Sequence, residues 1–317
     1  MQAAARPSVE VRLANPRGFC AGVDRAIQMV ERAIAKYGAP IYVRHEIVHN
    51  RLVVQRLSAL GAVFVEDVAD CPPDRPLIFS AHGAPKAAVR QAAELGIFTL
   101  DATCPLVTKV HNEAERHHAE GRYVLLIGHA GHPEVLGTMG RLPAGAMTLI
   151  QSAAEVRAFG WDGGTALAYV TQTTLSVDEA AEISGVLKAR FPAIRGPHKE
   201  DVCYATTNRQ EAVKQLARGC DLVLVVGSKT SSNSVRLVEV AARSGAKEAH
   251  LIDGAEDIDW SWVKDKAVVG VTAGASAPES LVETVLDALS DRYDVLVREF
   301  AHVRESLTFK LPRVLAE

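Results

Sequence analysis

Five cysteines are the residues that most directly suggest chemistry in this sequence, and they stand at positions 20, 71, 104, 203 and 220. Cys20, Cys104 and Cys203 each come directly before a segment with helical apolar spacing, which predicts that each lies at a helix N-terminus. The helix dipole there favours the thiolate, the form that binds metals. Cys71 and Cys220 lack this context, and we interpret both as small buried hydrophobic residues.

Three widely spaced thiolates match neither of the familiar sequence patterns for metal sites. The closely paired cysteines of structural zinc sites are missing, as are the cysteine runs of ferredoxins. Three ligands with no obvious fourth suggest a cubane iron–sulfur cluster with one iron left open. On spacing alone, zinc and inert buried thiols remain alternatives, whereas the odd cysteine count argues against a disulfide framework.

Composition limits the class of protein that could hold such a site. The chain has 317 residues, of which 48% are hydrophobic and 23% charged, a profile typical of a soluble α/β enzyme with two or three domains. The formal charge of −3 gives no electrostatic footprint for nucleic acid or a membrane surface. With no secretory signal and no apolar run of about 18–20 residues, we expect a cytoplasmic protein.

The elements that must position the cysteines can be predicted from alternating apolar runs and helical patterns. Six short apolar runs predict strands buried on both faces, at 41–43, 77–79, 123–127, 166–170, 222–226 and 268–271. Most are followed by a polar or glycine-rich loop and then a helix, the βαβ pattern of parallel sheets. We therefore predict an α/β fold, with hydroxyl, amide and imidazole groups gathered where ligands bind, beyond the carboxyl ends of the strands.

The sequence blocks around these residues resemble the LytB family, the 4-hydroxy-3-methylbut-2-enyl diphosphate reductases. The matching blocks run in order from about residue 11 to residue 280. They are NPRGFCAGVDRA (15–26), YVRHEIVHN (42–50), FSAHG (79–83), DATCPLVTKVH (101–111), IGHAGHPEV (127–135), VTQTTLSV (170–177), CYATTNRQ (203–210), GSKTSSNS (227–234) and GVTAGASAP (270–278).

The resemblance implies a fold, an activity and a cofactor. The fold would be three small α/β units with mainly parallel sheets, arranged as a trefoil around a central iron–sulfur cluster. We expect these units at 21–103, at 104–200, and at 1–20 together with 201–317. The activity would be reductive removal of the allylic hydroxyl of (E)-4-hydroxy-3-methylbut-2-enyl diphosphate, giving isopentenyl and dimethylallyl diphosphates in the last step of the non-mevalonate isoprenoid pathway. The cofactor would be one [4Fe–4S] cluster per chain with three cysteine ligands and one open iron.

The resemblance also assigns roles to residues. Cys20, Cys104 and Cys203 match the cluster ligands, and Glu134 matches the proton-delivering acid. Thr173 matches the residue near the substrate hydroxyl, with Thr174 beside it. The residues that match partners of the diphosphate are His49, His82, His132, Ser231, Ser232, Asn233 and Ser276.

The chemistry implied by the resemblance needs these residue types. Hydroxide is a poor leaving group, so an acid such as Glu134 must protonate it. The two electrons need an outside donor because the dinucleotide fingerprint Gly-x-Gly-x-x-Gly is missing, and we expect a ferredoxin or flavodoxin as partner. Two rival functions are a zinc hydrolase of a phosphorylated substrate, with Glu134 as general base, and a non-catalytic iron–sulfur sensor.

Overall fold

The structure is a computed structural model and describes residues 6–316. Its twelve strands within this range are β1 Ser8–Asn15, β2 Ile41–Arg44, β3 Ala62–Val65, β4 Leu77–Phe79, β5 Thr99–Asp101, β6 Tyr123–Ile127, β7 Met147–Ile150, β8 Leu167–Thr171, β9 Leu222–Val226, β10 Glu248–Ile252, β11 Val268–Ala273 and β12 Asp294–Ala301. The α-helices over the same range are α1 Ala21–Tyr37, α2 Arg51–Leu60, α3 Lys86–Glu94, α4 Pro105–Ala119, α5 Pro133–Met139, α6 Ala153–Ala158, α7 Val177–Arg190, α8 Tyr204–Leu216, α9 Ser232–Arg243, α10 Trp260–Val263 and α11 Glu279–Ser290.

The strands form three sheets in which every pair is parallel. Their strand orders are β10-β9-β11-β1-β12, β3-β2-β4-β5 and β7-β6-β8. The predicted α/β class and the parallel sheets are therefore confirmed. All six predicted strands are present, although the run predicted at 166–170 forms a strand one residue later, at Leu167–Thr171.

The described residues divide into two compact units. The five-strand unit comprises residues 6–20, His49–Val53 and Tyr204–Leu307, and it contains the sheet built on β1. The two-sheet unit comprises Ala21–Val48, Val54–Cys203 and residues 308–316, and it contains the other two sheets. Each of the three units expected from the sequence contains one sheet, but the boundaries of that division stay a prediction.

In the five-strand unit, β9 shows why the sheet is buried on both faces. Leu224 packs in one core with residues of α11, and Val225 packs in another with residues of α8 and α9. Successive side chains of a strand point to opposite faces, so a continuous apolar strand needs helices on both sides. The sheet therefore lies between helices, and its carboxyl edge is left for polar loops.

In the two-sheet unit, the strand β6 is covered in the same way. Leu125 and Ile127 pack with α7, whereas Val124 and Leu126 pack with α4, the helix that follows Cys104. At about 25 cal/mol per Å² of apolar surface removed from water, this packing stabilises the strand and fixes the height of α4 against it. In the part of the chain that the structure describes, no helix is both long and apolar enough to span a membrane.

Candidate functional site

Cys20, Cys104 and Cys203 each stand directly before the first residue of a helix, as the sequence predicted, and the helices are α1, α4 and α8. Their backbone N–H groups all donate to carbonyls in loops that follow strands. The pairs are Cys20 with Ala275 (3.2 Å), Cys104 with Ala81 (3.0 Å) and Cys203 with Thr173 (3.0 Å). These loops follow β11, β4 and β8 and also carry Ser276, His82 and Thr173. Each cysteine is therefore tied to a loop that contains a predicted site residue.

The remaining two cysteines have a different environment. Cys71 and Cys220 are buried, and burial raises the pKa of each thiol to about 11. A thiol with that pKa stays protonated at neutral pH, so it is a poor metal ligand. By contrast, Cys20, Cys104 and Cys203 are half-buried, and no disulfide links any of the five.

The five-strand unit contains five of the seven residues expected to bind diphosphate. The Ser276 hydroxyl donates to the backbone carbonyl of His49 at 2.9 Å and lies 3.5 Å from the Ser231 hydroxyl. The Asn233 side-chain oxygen accepts from the N–H of Ala275, the neighbour of Ser276, at 2.9 Å. Ser232 is the half-buried first residue of α9. Loops after β9 and β11 thus bring together side chains that lie far apart in the sequence.

Two glycines allow this approach. Ser231 caps α9 by accepting from the N–H of Ser234, and the Ser234 hydroxyl returns a hydrogen bond to Ser231 at 3.1 Å. A Cβ at Gly227 or Gly274 would stand within 2.2 Å of the Ser234 hydroxyl oxygen. Larger residues at either position would therefore push the start of α9 away from the strand ends.

In the two-sheet unit, Glu134 and Thr173 form a buried pair. The Glu134 carboxylate accepts from the Thr173 backbone N–H at 2.6 Å and from its hydroxyl at 2.9 Å. Both side chains are buried, and Glu134 is 2% exposed. Burial raises the Glu134 pKa to about 7, an effect that the two Thr173 hydrogen bonds oppose and the charge of Asp201 reinforces. Glu134 can therefore hold or release a proton near neutral pH, as a general acid must.

His82 and His132 lie side by side in the same unit. Their ring centroids are 5.9 Å apart at an interplanar angle of 87°. His132 is the N-cap of α5, where its Nδ1 accepts from the N–H of Glu134 at 3.1 Å, so the neutral ring carries its proton on Nε2. The Ser80 hydroxyl lies 3.3 Å from His82 Nδ1. Loops after β4 and β6 therefore place two imidazoles side by side, one of them at the start of the helix that carries the buried acid.

His111 packs closely against Gly83, the residue that follows His82. His111 on α4 is 4% exposed, and burial lowers its pKa to about 4, so it stays neutral. Gly83 has φ +84°, and a Cβ there would lie 2.5 Å from the His111 ring. His111 therefore packs as a buried core histidine.

Sequence reasoning did not identify Asp201 and Lys109. Asp201 is buried, and its carboxylate accepts from the Thr171 N–H at 2.9 Å and from Lys109 Nζ at 3.0 Å. Burial raises the Asp201 pKa to about 6, which Lys109 and the Thr171 hydrogen bond oppose. The pair holds the end of β8 two residues before Thr173. A buried acid two residues before a cysteine was the available signal, but its lysine partner stands 92 residues away.

The donor chemistry of the half-buried cysteines fits an iron–sulfur group. Thiolates at helix N-termini are the soft ligands that iron–sulfur clusters use, and each ligand of such a cluster binds its own iron. Within residues 6–316, no three His, Cys, Asp or Glu side chains gather closely enough to hold a single metal ion.

The family model described as LytB protein covers residues 11–290 of the chain. The chain belongs to the LytB family. Members of this family are iron–sulfur enzymes, and the activity implied by the sequence blocks is that of this family.

Named relatives and solved structures agree with that assignment. The chain is 61% identical to the 4-hydroxy-3-methylbut-2-enyl diphosphate reductase of Hyphomonas neptunium, over 98% of this chain and 99% of that protein. It is 62% identical, at the same coverage, to the enzyme of that name from Phenylobacterium zucineum. The structure of the E-1-hydroxy-2-methyl-but-2-enyl-4-diphosphate reductase from Plasmodium falciparum matches with a TM-score of 0.94 at 37% identity, covering 98% of this chain and 97% of that one.

Proposed function

We propose that this protein is an iron–sulfur reductase that converts (E)-4-hydroxy-3-methylbut-2-enyl diphosphate into isopentenyl and dimethylallyl diphosphates. The observation that carries the proposal is the buried Glu134–Thr173 pair, in which Glu134 has a pKa of about 7 and donates its backbone N–H to His132, which lies against His82. Family membership and the names of the relatives support the substrate class. The reaction would be the last step of the non-mevalonate isoprenoid pathway.

Cys20, Cys104 and Cys203 would hold one [4Fe–4S] cluster per chain. Bound there, the cluster would supply electrons one at a time and offer a Lewis-acid position at the iron that has no protein ligand. Overall, two electrons and two protons replace the carbon–oxygen bond of the substrate by a carbon–hydrogen bond and release water. The electrons come from a ferredoxin or flavodoxin.

Glu134 would protonate the departing hydroxyl oxygen. The Thr173 hydroxyl donates to Glu134 in the structure and can accept from it when the acid is protonated, so it can relay or orient the proton. Converting hydroxide into water lowers the barrier to breaking the carbon–oxygen bond. Glu134 then recovers its proton before the next turnover.

The diphosphate would be held mainly by neutral donors. Ser231, Ser232 and Asn233 lie at the start of α9, where the helix dipole favours an anion. Ser276 and the imidazoles of His49, His82 and His132 would add directed hydrogen bonds. Lys229 in the same loop is exposed and would contribute only screened charge.

The test is an anaerobic assay on protein reconstituted with iron-57 and sulfide. We expect both diphosphate products to form when a reduced one-electron donor and the substrate are supplied. In the Mössbauer spectrum, one quarter of the iron should change its parameters on substrate addition. Zinc without acid-labile sulfide would favour a hydrolase, and a cluster indifferent to the substrate would favour a sensor.

A further inference from the structure

Each helix that follows a predicted ligand cysteine carries a basic residue about one and a half turns from its start. Arg25 stands five residues after Cys20, Lys109 five after Cys104 and Arg209 six after Cys203. All three donate to backbone carbonyls just before one of the cysteines, and each contact joins residues of a single unit.

Arg25 contacts the segment that ends at Cys104. One of its terminal nitrogens donates to the carbonyls of Ala102 at 3.4 Å and Thr103 at 3.2 Å, the two residues directly before the cysteine. Its Nε donates to the carbonyl of Lys310 at 3.1 Å. The helix after Cys20 thus fixes the backbone before Cys104.

Lys109 contacts the segment that ends at Cys203. Its ammonium group donates to the carbonyls of Lys199 at 2.5 Å and Glu200 at 3.0 Å, and to the Asp201 carboxylate at 3.0 Å. All three donor positions of the ammonium are therefore directed at residues 199–201. The helix after Cys104 thus fixes the backbone before Cys203.

Arg209 contacts the segment that ends at Cys20. Its guanidinium donates to the carbonyl of Gly18 at 2.7 and 3.1 Å and to that of Phe19 at 3.3 Å. The side chain is fully buried and also pairs with the Glu305 carboxylate. Burying a guanidinium is costly unless its N–H groups are all engaged, so the position is specified by these acceptors.

The three contacts follow one rule and close in a cycle along the sequence. The helix after Cys20 binds the segment before Cys104, the helix after Cys104 binds the segment before Cys203, and the helix after Cys203 binds the segment before Cys20. If these basic side chains only donated hydrogen bonds to any available carbonyl, they would not by that alone contact these three segments.

We propose that Arg25, Lys109 and Arg209 are positioning residues for the three cysteine ligands. They hold the backbone on the N-terminal side of each cysteine, so that the thiols keep the geometry that retains the cluster. The proposal rests on the proposed function, because it takes these cysteines as the cluster ligands.

The test compares Lys109→Met with Arg116→Met, a control on the same helix. Arg116 also pairs with a buried carboxylate, that of Glu113, and among the described residues its guanidinium donates its hydrogen bond there and not to the backbone of residues 199–201. Both variants are reconstituted anaerobically, and the loss of iron to a chelator is followed by absorbance. We expect loss about tenfold faster from Lys109→Met, the effect of about one charged hydrogen bond, and loss within about twofold of the unaltered protein for Arg116→Met. Lys109→Arg should restore most of the retention.

A second variant separates positioning from a buried unpaired charge. The double change Lys109→Met with Asp201→Asn removes both charges, yet leaves the carbonyls of Lys199 and Glu200 without their donor. It should lose iron as fast as Lys109→Met, while the unfolding temperature of its cluster-free form stays close to that of Arg116→Met. If Lys109→Met and the double variant both retained iron as well as the unaltered protein does, the proposal would be overturned. If the unaltered protein itself binds no cluster, the proposed function fails instead.

Discussion

Two polar clusters, one in each unit, differ in whether they can change charge near neutral pH. The five-strand unit brings together hydroxyl and amide groups from Ser231, Asn233 and Ser276, next to the backbone of His49. The two-sheet unit instead buries an acid, Glu134, whose pKa burial raises to about 7. The difference assigns binding of a fixed charge to the first group and movement of a proton to the second.

The largest expected effect comes from Glu134→Gln. The amide preserves the size of the side chain but cannot give up a proton to the leaving oxygen, so kcat should fall by about 10²–10⁴-fold. The iron content should stay unchanged because Glu134 is not a ligand. Steady-state rates with a reduced viologen donor measure the effect. Glu182→Gln, an exposed acid on α7 of the same unit, is the control. Near-normal turnover of Glu134→Gln would remove the proton role from the two-sheet unit.

The same acid should make the stability of the cluster-free protein depend on pH. In the unfolded chain Glu134 titrates near 4.5, whereas in the folded protein its pKa is about 7. Between these two pH values the folded state therefore binds more protons than the unfolded chain. The protonated Glu134 thus contributes stability that is fully present below about pH 4.5 and is lost as the pH rises through 7. Its size is on the order of 3 kcal/mol. Urea unfolding at pH 5 and pH 8 should show a smaller pH dependence for Glu134→Gln, and an equal dependence in both proteins would contradict the assignment.

A smaller effect is expected in the five-strand unit. Ser276→Ala removes one hydroxyl donor from the expected diphosphate partners, which should raise KM about tenfold, the effect of one hydrogen bond to a charged group. The pH dependence of kcat should not change, because the hydroxyl does not titrate in this range. Ser280→Ala, at an exposed position in the same unit, should leave KM unchanged. A shifted pH dependence of kcat in Ser276→Ala would contradict the distinction between the two units.

The smallest effect is expected at the cysteines that do not begin a helix. Cys220→Ala should retain the full iron content, because the buried thiol has a pKa of about 11 and does not ligate. The loss of its packing should cost about 1 kcal/mol of stability. Cys104→Ala, by comparison, should lower the iron content per chain. Iron analysis after reconstitution distinguishes the two, and loss of iron in Cys220→Ala would show that the ligand set is wrong.

Most of the strands that sequence reasoning missed share a physical cause. Five of the six are edge strands, namely β3, β5, β7, β10 and β12. Continuous apolar runs indicate strands that are buried on both faces, and these five are less completely covered. The sixth, β1, is internal, but charged Glu10 and Arg12 alternate with its apolar residues and interrupt the run. Internal strands such as β9 were found because both of their faces are apolar.

The residue types of the site could be predicted from the sequence, but the contacts that hold those residues in place could not. Cysteines before helical patterns predicted three helix starts, and all three are present. The contacts of Arg25, Lys109 and Arg209 could not be predicted, because their partners are backbone carbonyls and every residue has one. The raised pKa of Glu134 likewise depends on burial by residues that are distant in the chain.

The most direct test of this division between binding and proton delivery is an infrared pH titration of the Glu134 carboxyl in the anaerobic, cluster-loaded protein. Subtracting the spectrum of Glu134→Gln isolates its carbonyl band. The account predicts that the protonated band persists at pH 6 and disappears as the pH rises through about 7, in parallel with kcat. A band already missing at pH 6, in a protein that turns over normally, would contradict it.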